Sequence, residues 1–369
     1  MSSHPSHDAP SRVDETSPIR TAILGFGTAG RFFHAPFIAA DPAFRIDAIV
    51  TSNPERAAQA AEEHPQAMVL PDADALWARS DDIDLIIVAT PSGTHAAMSE
   101  AALRAGHHVV VDKPFVTDPA TGEALIELAA QRRLMLTVFQ NRRWDGDFLT
   151  VAELIRDGRL GTVTRFESRF ERWQPEPRPG WKTDASVAEA GGILYDLGPH
   201  LIDQALQLFG PVDDVYAEIA TRREGVSADD DAFLALHHES GVRSHLWMSA
   251  VAPVSGPRFR VLGSEAAFTT WGLDGQEPAL RAGSRPRDAG FGESPEDRWG
   301  VLGVGESLQA VPTVRGAYGA FYAGVADSIR TASAPPVDPA DSVGALRLIA
   351  RARQIATASA SRREGSTPE

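Results

Sequence analysis

The sequence predicts an α/β protein of two domains, a doubly wound parallel sheet followed by an α+β domain with a largely antiparallel sheet. Three observations predict it. A short apolar run breaks into Gly25-Phe26-Gly27-Thr28-Ala29-Gly30 and then turns helical in pattern. Strand and helix patterns alternate from Ile19 to Val138. Beyond Val212 the strand-like runs succeed one another at hairpin spacing. The length of 369 residues also exceeds what one hydrophobic core usually supports.

The first strand, Thr21-Ala22-Ile23-Leu24, leads into glycines with the G-x-G-x-x-G spacing of a dinucleotide fingerprint. Gly25 permits the tight turn, Gly27 lets backbone approach a pyrophosphate, and Gly30 lets the helix pack on the strand. The helix start then offers unpaired N–H groups and a positive dipole end to phosphate. Phe26, Thr28 and Ala29 complete this cofactor-binding turn. Arg45 to Val50 is a second strand, Asn53-Pro54 caps a helix running to about Glu63, and Ala67 to Leu70 is a short third strand. Asp84 to Ala89 reads as a buried parallel strand that ends in Thr90-Pro91-Ser92-Gly93-Thr94-His95, with a helix to Ala105. His108 to Val111 ends at Asp112-Lys113-Pro114, and a helix over Pro119 to Arg132 and a strand over Leu134 to Val138 complete six strands. Ligands of such a sheet bind beyond the carboxyl ends of its strands, where Gly25 to Gly30, Ser52, Thr90, Pro91, His95 and Lys113 lie.

Cofactor choice is read at the end of the second strand. An NAD site places Asp or Glu there for the ribose 2′-hydroxyl, whereas this chain has Thr51-Ser52-Asn53. Ser52, Asn53 and Arg56 can instead donate to a 2′-phosphate, so NADP is expected ahead of NAD. The plain alternative makes Asn53 only a helix cap and Arg56 a solvated surface residue.

In the second domain a helix is expected over Gly146 to Asp157, a strand over Val163 to Phe170, and a Pro-rich loop between Trp173 and Trp181. Gly191-Gly192 precede a helix that carries Asp196 and His200 and ends near Phe209. Five strands follow up to Trp271, then a Gly/Pro-rich loop or lid over Gln276 to Val314, and helices over Ala317 to Thr331 and Asp338 to Ala358. The resulting boundaries are a disordered tail over 1–17, a nucleotide-binding domain over 18–139, a substrate domain over 140–358 and a frayed tail over 359–369.

Asp196 and His200, four residues apart, share one helix face. Oxidising an alcohol removes a hydroxyl proton as hydride leaves carbon, and a Lys, a His and a carboxylate supply base, orientation and charge compensation. Of 35 basic residues only Lys113 and Lys182 are lysine. Because arginine stays protonated, a lysine kept at a strand end is a candidate acid/base group. No metal is expected, since His200 and Asp203 lack a third histidine at ligand spacing. Trp144, Trp173 and Trp181 are candidates to stack on a sugar ring, with core packing as the alternative.

Net charge of −15 argues against a general hold on nucleic acid or anionic lipid, and the absence of cysteine removes disulfides and thiol chemistry. No apolar run is long enough to cross a membrane and the first residues carry no secretory signal, so the cytoplasm is the default location.

Taken together these residues resemble the Gfo/Idh/MocA family of NAD(P)-dependent sugar and polyol oxidoreductases, over Ile19 to Thr357. The likeness rests on the glycine turn, on Asp112-Lys113-Pro114 where the family has Glu-Lys-Pro, and on Gly191-Gly192 through Asp196 and His200. Within the family the chain is most similar to NADP-dependent scyllo-inositol dehydrogenases, through GRFFHAPF, TPSGTH, QNRRWDGDFLT, GGILYDLGPHLIDQ, GPRFRVLG and DGQEPALRAG. The resemblance implies a Rossmann domain and a catalytic set of Lys113, Asp196 and His200, with either Lys113 or His200 relaying the hydroxyl proton. It places Asn141, Arg142 and Trp144 near nicotinamide and substrate, and Tyr322 near the nicotinamide pocket. An open-faced second sheet buried in a homodimer or homotetramer is also implied. Two departures stand out: relatives often carry Arg where this chain has Asn53, and Asp112 is one methylene shorter than Glu. The implied reaction moves hydride between the nicotinamide and a secondary hydroxyl or ketone of a cyclic polyol or sugar, inositol-like first. Another sugar or deoxy-keto sugar, or a non-catalytic NADP-binding sensor, are the alternatives.

Overall fold

The structure, a computed structural model, describes residues 17–79, 82–177 and 191–364. Most of the two expected tails lies outside them, as do Trp181 and Lys182. The chain forms two compact units. The first takes the chain up to Val116, then Ala120–Phe139 and Gly319–Ala340; the second holds Thr117–Pro119, Gln140–Tyr318 and the chain from Asp341 on.

The first unit is built on six parallel strands: β1 (Ile19–Leu24), β2 (Phe44–Val50), β3 (Met68–Leu70), β4 (Leu85–Val88), β5 (His108–Val111) and β6 (Leu136–Val138). Their order is β3-β2-β1-β4-β5-β6, the doubly wound arrangement. Leu85, Ile86, Ile87 and Val88 are all buried, which explains why β4 shows no polar alternation in sequence. Helices α1 (Ala35–Ala40), α2 (Pro54–Glu63), α3 (Ala73–Trp77), α4 (His95–Ala105) and α5 (Pro119–Arg132) connect the strands. The helix after the glycine turn departs from regular geometry. It opens as a widened π turn over Ala29–His34 before α1 begins, and Pro36, which has no N–H for a carbonyl one turn back, follows directly.

The second unit carries α6 (Gly146–Arg156), β7 (Val163–Glu171), α7 (Ile193–Phe209), β8 (Val212–Ala220), β9 (Asp231–His238), β10 (Arg243–Ser249), β11 (Phe259–Gly263) and β12 (Ala267–Thr270). Strands β13 (Gly300–Val304) and β14 (Ser307–Val311) extend the sheet to the order β14-β13-β12-β11-β7-β10-β9-β8. Among the described strands of this sheet only β7 and β10 pair in parallel. Helix α7 packs on β7, β9 and β10, while Tyr216, Phe233 and Trp247 line the other face of the sheet.

Two expectations are corrected. The segment from Gln276 to Val314 is not one long loop: it holds a short helix, α8 (Gln276–Arg281), and the β13–β14 hairpin. Its glycines hide the strands, because Gly300 lies where a β-carbon would run into the Phe268 ring. The second correction concerns continuity. Helix α9 (Gly319–Thr331) returns to the first unit, burying Phe321, Tyr322 and Val325 and touching α1, before α10 (Pro339–Glu364) belongs mostly to the second. An amphipathic pattern shows that a helix has a core face but not which core it fills.

Burial holds the His34 imidazole neutral, pulling its pKa to about 4 against the opposing pull of Asp112; burial pulls His108 the same way. An unfolded histidine titrates near 6.5, so below that pH the unfolded chain binds the proton that folded His34 refuses. His34 therefore lowers stability as pH falls from about 6.5 towards 4. The stability advantage of wild type over His34→Gln should shrink by about 2 kcal/mol between about pH 7.5 and about pH 5. Denaturant unfolding of both proteins at the two pH values measures this, and a constant difference would contradict it.

Candidate functional site

β1 and β4 are neighbours where the strand order reverses, and the loops after them form the dinucleotide crevice of this sheet type. Gly25 has φ +97°, and a β-carbon there would stand 2.5 Å from the Ala89 carbonyl oxygen. At Gly30 a β-carbon would run into the Gly25 carbonyl oxygen. Gly27 differs: among the described residues a β-carbon there would meet only the Arg56 guanidinium, with Nη1 3.6 Å away. Bare backbone at the start of a helix fits the pyrophosphate of a dinucleotide, and the cation beside it suits a further phosphate such as one on the ribose. Phe26 turns its ring into the core, edge-on to His64, so it offers a ligand backbone only. Thr28 is exposed and Ala29 half-buried in the same turn.

At the end of β2, Ser52, Asn53 and Arg56 are all exposed. The Asn53 side-chain oxygen accepts the Arg56 N–H at 2.9 Å, so it is spent on capping α2. At the end of β4, Thr94 Oγ1 donates to Thr90 Oγ1 at 2.7 Å, and Pro91 is exposed. His95 is fully buried. Its Nε2 lies 2.9 Å from the Thr90 carbonyl and its Nδ1 2.8 Å from the Pro114 carbonyl. His95, expected at the cofactor, sets its ring between the end of β4 and the corner after β5, with a backbone carbonyl facing each nitrogen. Lys113 sits half-buried at that corner, its N–H donating to Asp112 Oδ1 at 2.9 Å.

Tyr322, expected near the nicotinamide pocket, lies inside the first unit. It is completely buried, stacked on Phe37 and edge-on to Phe44, and its hydroxyl lies 2.6 Å from His34 Nδ1. It packs the first unit from within. His34 was missed because a lone histidine inside GRFFHAPF carries no spacing signal.

In the second unit the residues cluster on α7. Asp196 is half-buried and His200 is buried, its ring edge-on to Phe170 at 6.3 Å. Further along the helix Asp203 accepts two hydrogen bonds from Arg143, at 2.8 and 2.6 Å, and Arg143 also reaches Asp341. Both Asp203 oxygens are thus taken by a guanidinium. Burial raises the Asp203 pKa, and Arg143 opposes that rise. Gln204 donates to the Arg142 carbonyl at 2.9 Å and accepts from Arg258 at 2.8 Å. The start of α7 is capped from outside: Asp229 Oδ2 accepts the Leu194 N–H at 2.9 Å, and Oδ1 accepts from Arg353 at 2.7 Å. Asp229 stands in a run of three aspartates that reads from sequence as a solvated acidic loop.

Asn141 is buried and Trp144 half-buried in the turn before α6, and Trp173 is 57% exposed beside Val251. Arg142, expected near nicotinamide and substrate, lies in the same turn. Its guanidinium donates to Glu277 at 2.8 Å and to the Tyr318 hydroxyl at 3.2 Å, with Asp145 at 3.4 Å. The half-buried guanidinium is thus held by three side chains of its own unit. Burial works against its charge, but Tyr318, Asp145 and Glu277 outweigh burial and raise its pKa. Burial also lifts Asp145 above the usual carboxylate range in spite of Arg142, with Asp147 and Asp274 adding to the rise.

Residues 19–140 match the oxidoreductase family with NAD-binding Rossmann fold, and residues 148–269 match the GFO/IDH/MocA C-terminal domain. The scyllo-inositol 2-dehydrogenase (NADP(+)) IolW of Bacillus subtilis is 34% identical, covering 91% of this chain and 93% of its own. UDP-N-acetylglucosamine 3-dehydrogenase of Acidithiobacillus ferrooxidans is 31% identical over 66% of this chain and 71% of its own. The solved structure of the Bacillus subtilis protein yvaA superposes with a TM-score of 0.88 at 34% identity, over 93% of this chain and 97% of that one. Both domain matches and a full-length relative above 30% identity agree with the glycine turn and the six-stranded order: the chain belongs to the Gfo/Idh/MocA family of oxidoreductases.

Proposed function

We propose that this protein reversibly oxidises a secondary hydroxyl of a cyclic polyol or sugar, inositol-like first, with NADP preferred. The observation that carries the reading is the Arg56 guanidinium over Gly27 at the end of a second strand that lacks the ribose-binding carboxylate. Full-length similarity to an NADP-dependent scyllo-inositol dehydrogenase supports the substrate class. When bound, the nicotinamide accepts hydride from the alcohol carbon or returns it. This chain's residues manage the proton. Lys113 and His200 each bring a nitrogen able to take it from the hydroxyl, and Asp196, one turn before His200 on α7, compensates charge. Trp173 offers an exposed ring face for a sugar.

The open face of the second sheet supports association into a homodimer or homotetramer. Tyr216 is 51% exposed there, Phe233 packs on Trp247 at 5.0 Å, and Arg169 lies over Trp247 at 3.8 Å. A charge at this patch would be desolvated in such an interface.

Three outcomes are expected. Lys113→Ala should lower kcat by about 10²–10⁴-fold with NADP binding retained, read by the absorbance of reduced cofactor across a polyol and sugar panel. Unchanged turnover would remove Lys113 from the reaction. Arg56→Ala should raise the KM for NADP by about 10–100-fold and leave that for NAD unchanged, as loss of a charged hydrogen bond to phosphate requires. Trp247→Glu should shift the mass in solution to that of a monomer, measured by light scattering after gel filtration.

A further inference from the structure

The first unit contains a line of polar groups that the reaction as described does not use. Tyr322 on α9 and His34 at the end of the π turn are both fully buried, with the hydroxyl 2.6 Å from Nδ1. On the other side of the ring, His34 Nε2 is a buried nitrogen without a hydrogen-bond partner among the described residues, 4.0 Å from Asp112 Oδ1. That same oxygen accepts the N–H of Lys113. Phe139, 4.6 Å from the His34 ring centre, and the stacked Phe37 hold the two rings in place.

We propose that Tyr322, His34 and Asp112 form a buried hydrogen-bond chain that positions Lys113, with Asp112 poised to close the remaining gap onto His34 Nε2. The three are positioning residues, and the inference rests on the assignment of Lys113 to the reaction.

The direction of the chain follows from its charges. A neutral imidazole has one N–H. If Tyr322 donates to Nδ1, that hydrogen sits on Nε2 and points at the Asp112 carboxylate. The reverse assignment would set the Nε2 lone pair against a carboxylate oxygen, and would leave the Tyr322 hydroxyl only the Phe33 carbonyl at 3.5 Å as acceptor. The first tautomer aims an N–H at the carboxylate across the gap, whereas the second aims a lone pair at it and leaves Tyr322 its longer bond. The gap also bears on the departure at position 112. A side chain one methylene longer reaches about 1.5 Å further, enough to bring a carboxylate from 4.0 Å to hydrogen-bond distance of Nε2. Asp112 must therefore shift to complete the chain, whereas glutamate would complete it at rest.

The test uses the full chain with Tyr322→Phe, His34→Gln, Asp112→Asn and Asp112→Glu, each checked for wild-type NADP binding by fluorescence titration. Tyr322→Phe, His34→Gln and Asp112→Asn should each lower kcat by about 10–100-fold with little change in KM, the cost typical of losing an outer partner that orients a working side chain. Asp112→Glu should restore activity to wild type or above. Nitrogen-15 spectra of histidine-labelled protein should show His34 as the Nε2–H tautomer, with its signals displaced in Asp112→Asn and Tyr322→Phe. An Nδ1–H tautomer, or wild-type kcat in Tyr322→Phe and His34→Gln together, overturns the chain. Full turnover in Lys113→Ala alongside the expected tautomer would instead overturn the role of Lys113 and leave the chain standing.

Discussion

The approach of the backbone at Gly25 to the carbonyl of Ala89 governs the first unit. A side chain at residue 25 would force the end of β1 away from the end of β4, and the crevice between these strands would lose its floor. From that contact a sequence of ties runs outward. Thr90, just past Ala89, gives its carbonyl to His95; His95 gives its second nitrogen to Pro114; and Asp112 holds the N–H of Lys113. The loop after β1 is thereby packed against the end of β4, and His95 joins the loops after β4 and β5, so a functional group placed on one of them is placed relative to the others. Preorganisation of this kind matters more for hydride chemistry than any single contact, because misplacement by an ångström costs orders of magnitude in rate.

The second unit achieves the same end with charge. Helix α7 is fastened to the turn before α6 by Asp203 with Arg143 and by Gln204 with the Arg142 carbonyl, and its first turn is capped by Asp229. Buried ion pairs seldom add net stability, since desolvation offsets most of their attraction. What they fix is register. A helix that carried Asp196 and His200 on apolar packing alone could slide by part of a turn at little cost, whereas a bidentate guanidinium admits one position.

Strong periodic signals were legible in the sequence. The order strand, glycine turn, helix and the unbroken apolar run of β4 led directly to the parallel sheet, and Asn53-Pro54 announced the start of α2 where it occurs. Residues whose meaning depends on a distant partner were not legible. The sequence singles out His95 and Tyr322 but does not show their partners, the Pro114 carbonyl and His34, which are remote in sequence. Nor does the sequence show that Glu277 and Tyr318 meet the Arg142 guanidinium. The β13–β14 hairpin was hidden because glycine, there to make room for Phe268, reads locally as a loop.

The return of Gly319–Ala340 to the first unit bears on the order in which the protein is made. Chains usually fold domain by domain as they leave the ribosome, the N-terminal domain first. Here that order is blocked. Phe321, Tyr322 and Val325 are buried in the first unit, the two rings against Phe44 of β2, Phe37 of α1 and Phe139 after β6, and they are synthesised after almost the entire second unit. A nascent nucleotide-binding half must therefore wait with an incomplete interior, and a ribosome stalled before α9 would release two unfinished cores.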